Sequence, residues 1–452
     1  MNNEFIAKVI YTNQLASREQ IMAARAYVTP QKTIADVLVE QGIIASDVCQ
    51  KLMVFIRQNT PGASPQQASP TPPEAKAPEP PAPKAEIQIE AGTLDAYLQE
   101  ARRNNASDLH VTPNNPVAFR RFGKLVSIHD HVLDKHAVEN LLRASISGEM
   151  IEAFIKKGDL EFVHQIGSDR YRSVMMRERN GWTFTARVIP NEIPSFAASN
   201  LPPSCLNLIK WTQGMILITG PVGSGKSTTM ATLVNMLNQE RSDHIITIED
   251  PIEVVYPPGK CQMTQREIKK HTESQATALR GALRQDPDVL VISELRDLES
   301  MQLAVSAAET GHLVLATMNT TSASRTIYRL VDSFPPDERQ IIRNMVSESL
   351  RGVISQQLIP RMDGTGMVPA YEVLLVNKAI SNLIRKDNAH MIGSAMMTGR
   401  AGGMVLLDDS LQTLVDQKLI DGREAFYRAI NVKNFAKYVA GDGQMHLELI
   451  SD

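Results

Sequence analysis

Cysteine is scarce in this chain of 452 residues: Cys49, Cys205 and Cys261 are the three it has. They lie far apart and form no C-x-x-C pair, so the sequence supports neither a structural zinc site nor a disulfide framework, and the usage suits a reducing compartment. Charge of one sign is also lacking. Lysine plus arginine number 47 against 50 acids, a net charge of −3, which leaves no electrostatic footprint for nucleic acid. No stretch approaches the ~18 uninterrupted apolar residues of a spanning helix. The start, Met1-Asn2-Asn3-Glu4, is not a basic region followed by an apolar core, so no signal peptide is predicted. The expectation is a cytoplasmic chain of two to four domains, able to dock on a membrane through a partner.

Against these absences stands one strong positive signal. Gly220-Pro221-Val222-Gly223-Ser224-Gly225-Lys226-Ser227 fits G-x-x-x-x-G-K-[ST], the phosphate-binding loop of nucleotide hydrolases. The apolar run Met215 to Thr219 before it reads as a buried strand, and Ser227 to Leu237 after it as a helix. That order suits the chemistry. Glycines let backbone N–H groups curl around phosphates, and the helix N-terminus adds positive potential. Lys226 can reach the β- and γ-phosphates, while the Ser227 hydroxyl can hold Mg²⁺; Thr228 completes the expected binding stretch.

Four regions are expected. Residues 1–58 read as a small helical module, with an apolar face at Phe5, Ile6, Val9 and Ile10, a capping box at Ser17 to Gln20, a third helix through Ile34, Val37 and Leu38 stopped by Gly42, and a fourth from Ser46 to Ile56. Its role is open between a docking or regulatory domain and a solubilising appendage. Residues 59–86 are a Pro/Ala-rich linker: nine prolines fall between Pro61 and Pro83, enough extended chain to span about 70 Å at ~3.1 Å per residue. Residues 87–195 mix helices with strands, including "VAFRRFGKLVSIH", "DLEFVHQI", "DRYRSVMMRER" and "WTFTARVIP", with His136 to Lys157 helical, and read as an α+β domain. Residues 205–452 alternate strand and helix as a mostly parallel sheet requires, with strands in "HIITIED", "DVLVISE" and "HLVLATMN". After Pro335 helices alone are expected: Asp337 to Leu358, Lys378 to Arg385 and Asp408 to Lys418.

Two acidic clusters follow successive strands. Glu294 comes after Val289 to Ser293, where an acid can face the γ-phosphate and activate water. Glu249, Asp250 and Glu253 follow the strand before it. One acid at a strand end is commonly a solvated turn residue; two clusters behind a phosphate loop point to carboxylates around a metal–phosphate centre, with Glu249 and Asp250 as Mg²⁺ candidates beside Ser227.

The segments "ASDLH", "GPVGSGKSTTMATLV", "HIITIEDPIE", "ALRGALRQDPDVLVISELRD" and "AAETGHLVLATMNTTSASRTIYRLVDSFP" together resemble the type IV pilus retraction ATPases of the secretion ATPase superfamily, from about Ala91 to the C-terminus. The resemblance implies a RecA-like P-loop ATPase domain behind a PAS-like α+β domain. The segment "IADVLVEQGIIASDVCQKL" is similar to the N-terminal module of type II secretion and pilus assembly ATPases. By position, Gly220 to Ser227 match the Walker A loop, Glu253 the glutamate of the Asp box, Glu294 the catalytic glutamate of Walker B and His312 the first histidine of the His box. The family further implies a homo-hexamer, with Arg172 and Arg187 pressed toward nucleotide by neighbouring N-terminal domains, working at the inner membrane on a pilus platform protein, with another pilus ATPase as a further partner. ATP and Mg²⁺ are the implied cofactors, and zinc is not expected.

Three departures from the family pattern bear on function. Asn319 stands in "MNTT" where a second His-box histidine is usual; it hydrogen-bonds but cannot titrate. The family's "AIRNLIRE" signature appears as Ala379-Ile380-Ser381-Asn382-Leu383-Ile384-Arg385-Lys386. Retraction ATPases also generally lack the N-terminal module and linker. No cysteine follows Cys261 to build the tetracysteine insert typical of assembly and secretion ATPases, so retraction outranks extension. A weakly active regulatory ring is the alternative from another class, and a nucleic-acid translocase would want a basic channel that the composition does not advertise.

Overall fold

The structure is a computed structural model, and it describes residues 92–439 together with Gln20, Ala24, 33–41 and Ile43. The chain forms two compact units, Met1–Lys84 and Ala85–Asp452. In the first, Ile34–Glu40 (α1) is a helix whose Ile34, Ala35, Val37 and Leu38 are buried, where the third helix was expected. The first and fourth expected helices, most of the second and the proline linker lie outside the described residues.

The second unit holds two sheets. Its N-terminal part runs α2 (Leu94–Arg103), β1 (Asp108–Val111), β2 (Asn115–Arg121), β3 (Lys124–Leu133), α3 (Lys135–Ser145), α4 (Gly148–Lys157), β4 (Asp159–Ile166), β5 (Asp169–Glu178) and β6 (Gly181–Ile189). The six strands make one antiparallel sheet in the order β3-β2-β1-β6-β5-β4. Tyr97, Leu98, Phe119, Phe154, Tyr171 and Phe184 are in its core, so one face carries the apolar residues and the other is free to present charge. Where one helix was expected over His136 to Lys157 there are two, because Ile146 and Ser147 adopt extended backbone between them.

After the short helix α5 (Cys205–Leu208) the chain builds a seven-stranded sheet in the order β13-β12-β7-β11-β10-β8-β9. Its strands and the helices between them run β7 (Gly214–Thr219), α6 (Lys226–Glu240), β8 (His244–Glu249), β9 (Gln262–Glu267), α7 (Gln275–Ala282), β10 (Val289–Ile292), α8 (Leu298–Glu309), β11 (Leu313–Met318), α9 (Ala323–Asp332), α10 (Arg339–Ser349), β12 (Leu350–Pro360) and β13 (Met367–Leu375). Helices α11 (Lys378–Arg385), α12 (Ile392–Thr398), α13 (Leu407–Asp416) and α14 (Gly422–Arg428) follow. Strands β7, β10 and β11 are buried along their whole length between two apolar clusters, which is why they read as unbroken hydrophobic runs. All pairings from β12 through β9 are parallel, and β13 closes the other edge antiparallel to β12.

Two expectations are corrected here. The helix expected over Asp337 to Leu358 ends at Ser349, and Leu350 to Leu375 form a hairpin that widens the sheet. Gly352 lets β12 pack closely there: a Cβ would lie 2.5 Å from Leu208 Cδ2 of α5 and 2.8 Å from the Leu374 carbonyl of β13. The C-terminal region of the 205–452 domain is therefore not wholly helical. Strand β9, "QMTQRE", was not expected at all. It is a polar edge strand paired only with β8, so neither alternation nor an apolar run marks it.

Candidate nucleotide site

The phosphate-loop sequence sits between the C-terminal end of β7 and the N-terminus of α6, the edge at which such sheets bind ligands. Its geometry is set by tight backbone approaches. At Gly220, with φ of +151°, a Cβ would meet the Gln356 carbonyl at 2.3 Å and Ser224 Oγ at 2.4 Å. Gly225 caps α6 at φ +91°, a conformation that favours glycine. Lys226 curls its ammonium back onto the Gly220 and Pro221 carbonyls at 2.9 and 3.0 Å. Gln356 of β12 donates to the Ser224 carbonyl at 2.6 Å, bracing the loop from the strand that sequence reading had made a helix. The buried Ser224 Oγ and Gln356 Oε1 have no partner among the described residues.

Around Lys226 the charges are mixed. Burial lowers the Lys226 pKa, Glu294 and Glu253 push it up, and Arg187 lowers it again. The two expected acids and one expected arginine thus lie near enough to the loop lysine to act on its charge. Glu294, two residues beyond the end of β10, is held on both oxygens: Asn319 donates to Oε1, and Arg296 to Oε2 at 2.7 Å. Its backbone is pinned too, with Gln275 Nε2 on its carbonyl at 3.0 Å and the Leu295 N–H on Thr317 O at 2.9 Å. This salt bridge holds the Arg296 pKa above its ordinary value.

Glu253 faces the N-terminal sheet. Arg172 on β5 reaches it at 3.3 Å and Glu161 on β4 at 2.7 Å. Two residues earlier, Arg170 forks onto the Ile252 and Glu253 carbonyls at 2.7 and 2.8 Å. Arg102 in turn secures this strand end, donating to the Arg170 and Ile189 carbonyls at 3.2 and 2.8 Å. Arg187 on β6 pairs with Asp108 at 2.9 Å. Within this chain Arg172 thus pairs with Glu253 and Arg187 with Asp108.

Three expected residues are placed elsewhere. Glu249, at the end of β8, accepts from Thr247 at 2.6 Å and Gln265 at 3.0 Å; it is turned into the β8–β9 edge, and burial raises its pKa. Asp250 pairs with Lys269 at 3.5 Å. Among the described residues no cluster of three or more His, Cys, Asp or Glu side chains could hold a metal by itself. His312 lies before β11, at the opposite edge of the sheet: its carbonyl accepts from Gly214 N, and its Nδ1 is 3.1 Å from the Ala307 carbonyl. The six residues of β11, roughly 20 Å of strand, separate it from Asn319.

Sequence reading missed Arg170, Arg296 and Gln356. Arg170 was recoverable, since residues two apart on a strand share a face and Arg172 was already chosen. Gln356 had a weaker sign, the polar Ser355-Gln356-Gln357 inside an apolar run.

The chain matches the family described as "Type II/IV secretion system protein" over residues 84–421. It is 39% identical to a twitching motility protein of Neisseria gonorrhoeae over 319 residues, 70% of this chain and 85% of that protein. It is also 39% identical to the type IV pilus retraction ATPase PilT of Pseudomonas aeruginosa over 334 residues, 74% of this chain and 97% of that one. A crystal structure of the pilus retraction motor PilT with bound ADP superposes with a TM-score of 0.67 at 38% identity, covering 76% of this chain and 99% of the other. The loop, its acids and these relatives agree: the chain belongs to the type II/IV secretion system protein family and is a PilT-like ATPase.

Proposed function

We propose that this chain is a hexameric motor that hydrolyses ATP to retract a type IV pilus, acting from the cytoplasmic side of the inner membrane on a platform protein. The single observation that supports it best is that the two acids acting on the charge of Lys226 are both held in place, Glu294 by Asn319 and Arg296 and Glu253 by Arg172. Loop N–H groups and Lys226 would hold the β- and γ-phosphates, the lysine exchanging its two carbonyl partners for phosphate oxygens. Glu294, oriented by Asn319 and Arg296, would align water for in-line attack on the γ-phosphorus and accept its proton. Arg172 and Arg187 would respond to charge at the γ-phosphate, guanidinium being a planar donor always charged at neutral pH.

The residues present fit Mg²⁺ held mainly by the nucleotide. Ser227 offers an exposed hydroxyl at the start of α6, and magnesium usually takes only one or two protein ligands beside phosphates and waters. When bound, the ion would neutralise charge on the phosphates; Glu249 is engaged elsewhere. The domains proposed are 1–58 as a docking or regulatory module, 59–86 as its tether, 87–195 as the arginine-bearing domain and 205–452 as the ATPase domain. Release of the Arg172–Glu253 contact after hydrolysis would let the last two reorient and shift the platform.

Steady-state ATPase activity of the wild type beside Glu294→Gln and Asn319→His tests this reading. Turnover should fall at least a hundredfold in Glu294→Gln and change less than threefold in Asn319→His, since histidine keeps a donor for Glu294. A nearly inactive wild type that Asn319→His switches on would overturn the motor and leave an accessory ring.

A further inference from the structure

The sheet that carries the nucleotide loop holds a row of buried polar side chains at its β7–β13 side. Thr219, Ser355 and Glu372 are in register across β7, β12 and β13, and all three are buried. Polar groups so placed are costly unless hydrogen-bonded. The row meets its partners on α9. Thr219 Oγ1 lies 2.7 Å from Ser355 Oγ and 3.4 Å from Thr326 Oγ1. Thr326 also lies 2.6 Å from Thr320 Oγ1 and bonds the Ser322 carbonyl at 2.7 Å. At the other end of the row, Glu372 accepts the Ala323 N–H, the first of α9, at 2.5 Å.

Residues 319–322 are thereby tied down from two sides. They form the four-residue loop between β11 and α9, and they carry Asn319, the donor to Glu294. The hydroxyl chain starts at Thr219, the residue before the phosphate loop, and ends at Thr320, the residue after Asn319.

We propose that Glu372 is a positioning residue for ATP hydrolysis: through the Ala323 N–H it seats the start of α9 on the sheet and so fixes Asn319 against Glu294, with Thr326 as the second anchor. The inference rests on the role given to Glu294 above. It assigns Glu372 no contact with nucleotide, so it should govern turnover and leave nucleotide binding nearly untouched.

The test uses the full chain with Glu372→Ala, Glu372→Gln, Thr326→Val, Asn319→Ala and the Glu372→Ala/Asn319→Ala double variant. Amide hydrogen exchange is followed in the 319–326 segment and in the phosphate loop, beside kcat and KM for ATP. Glu372→Ala should exchange at least tenfold faster in 319–326 with the phosphate loop unchanged, and should lose about tenfold in kcat with KM within twofold. Glu372→Gln keeps an acceptor for the Ala323 N–H and should recover most of both. In the Asn319→Ala background Glu372→Ala should cost less than twofold, because the two act on the same contact. Unchanged exchange in 319–326, or fully additive losses, would overturn the anchor. If Glu372→Ala does not fold, Thr326→Val carries the same expectations. A wild type without ATPase activity would sink the motor reading, yet the exchange data would still decide whether Glu372 seats the loop.

Discussion

Arg170 offers the most direct check on the contact between β5 and the segment that carries Glu253. Its guanidinium makes two hydrogen bonds across the gap between β5 and the segment after β8, to Ile252 and Glu253 carbonyls at 2.7 and 2.8 Å. A hydrogen bond from a charged donor contributes about 1.5–3 kcal/mol, so the pair amounts to about 3–6 kcal/mol before correction. The side chain is half-buried, and carbonyls freed by truncation regain water, which brings the net to about 2 kcal/mol. The segment also has anchors of its own: Ile252 N–H to Glu267 at 3.3 Å, and Gln265 to the Val254 carbonyl at 2.8 Å. Arg170→Ala should therefore loosen residues 250–256 without unfolding them. Two kcal/mol corresponds to roughly thirtyfold in the local opening equilibrium, read as that much faster amide exchange in this segment of the full chain. Turnover should fall about tenfold as Glu253 loses its fixed backbone. Arg170→Lys, a point donor without the fork, should land between the two. If exchange in 250–256 and turnover both stay at wild-type values in Arg170→Ala, the clamp has no function and the contact of β5 with the Glu253 segment does not serve turnover.

Two further outcomes follow from the geometry. Gly220→Ala places a methyl 2.3 Å from a backbone carbonyl that cannot withdraw without breaking the β12 pairing, so nucleotide binding by fluorescence titration should weaken at least thirtyfold while the circular dichroism spectrum is retained. Burial, aided by Asp408 and against the Ala323 hydrogen bond, raises the Glu372 pKa to about 7. An acid whose folded-state pKa lies above its unfolded value costs little stability below the unfolded value, near pH 4.5, and its full penalty is present above pH 7. Glu372→Gln removes that penalty, so its unfolding free energy relative to wild type should rise by about 2 kcal/mol from pH 5 to pH 8, measured by denaturant titration at both. A difference independent of pH would show that Glu372 does not titrate there.

The sequence by itself determined the nucleotide loop, its flanking strand and helix, and the acids at the ends of β8 and β10. The reason is that these features are local: glycine positions, a lysine and a run of apolar residues act within a dozen neighbours. Asn319 was legible as a departure, but its contact with Glu294 joins two strand ends 25 residues apart. Which carboxylates lie near Lys226 depends on contacts distant in the chain. Glu249 and Glu253 lie four residues apart with the same chemistry, yet β9, a strand without a sequence signature, draws Glu249 to Gln265 while β5 draws Glu253 to Arg172. The same holds for the hairpin β12–β13. Leu350 to Leu358 carries apolar residues compatible with either period, and what made it a strand was the exposed edge of β7, which sequence spacing does not describe. That edge brings Gln356 to the phosphate loop and Glu372 to α9, because pairing in register sets Ser355 and, through β13, Glu372 beside Thr219, although the chain runs 136 residues from Thr219 to Ser355.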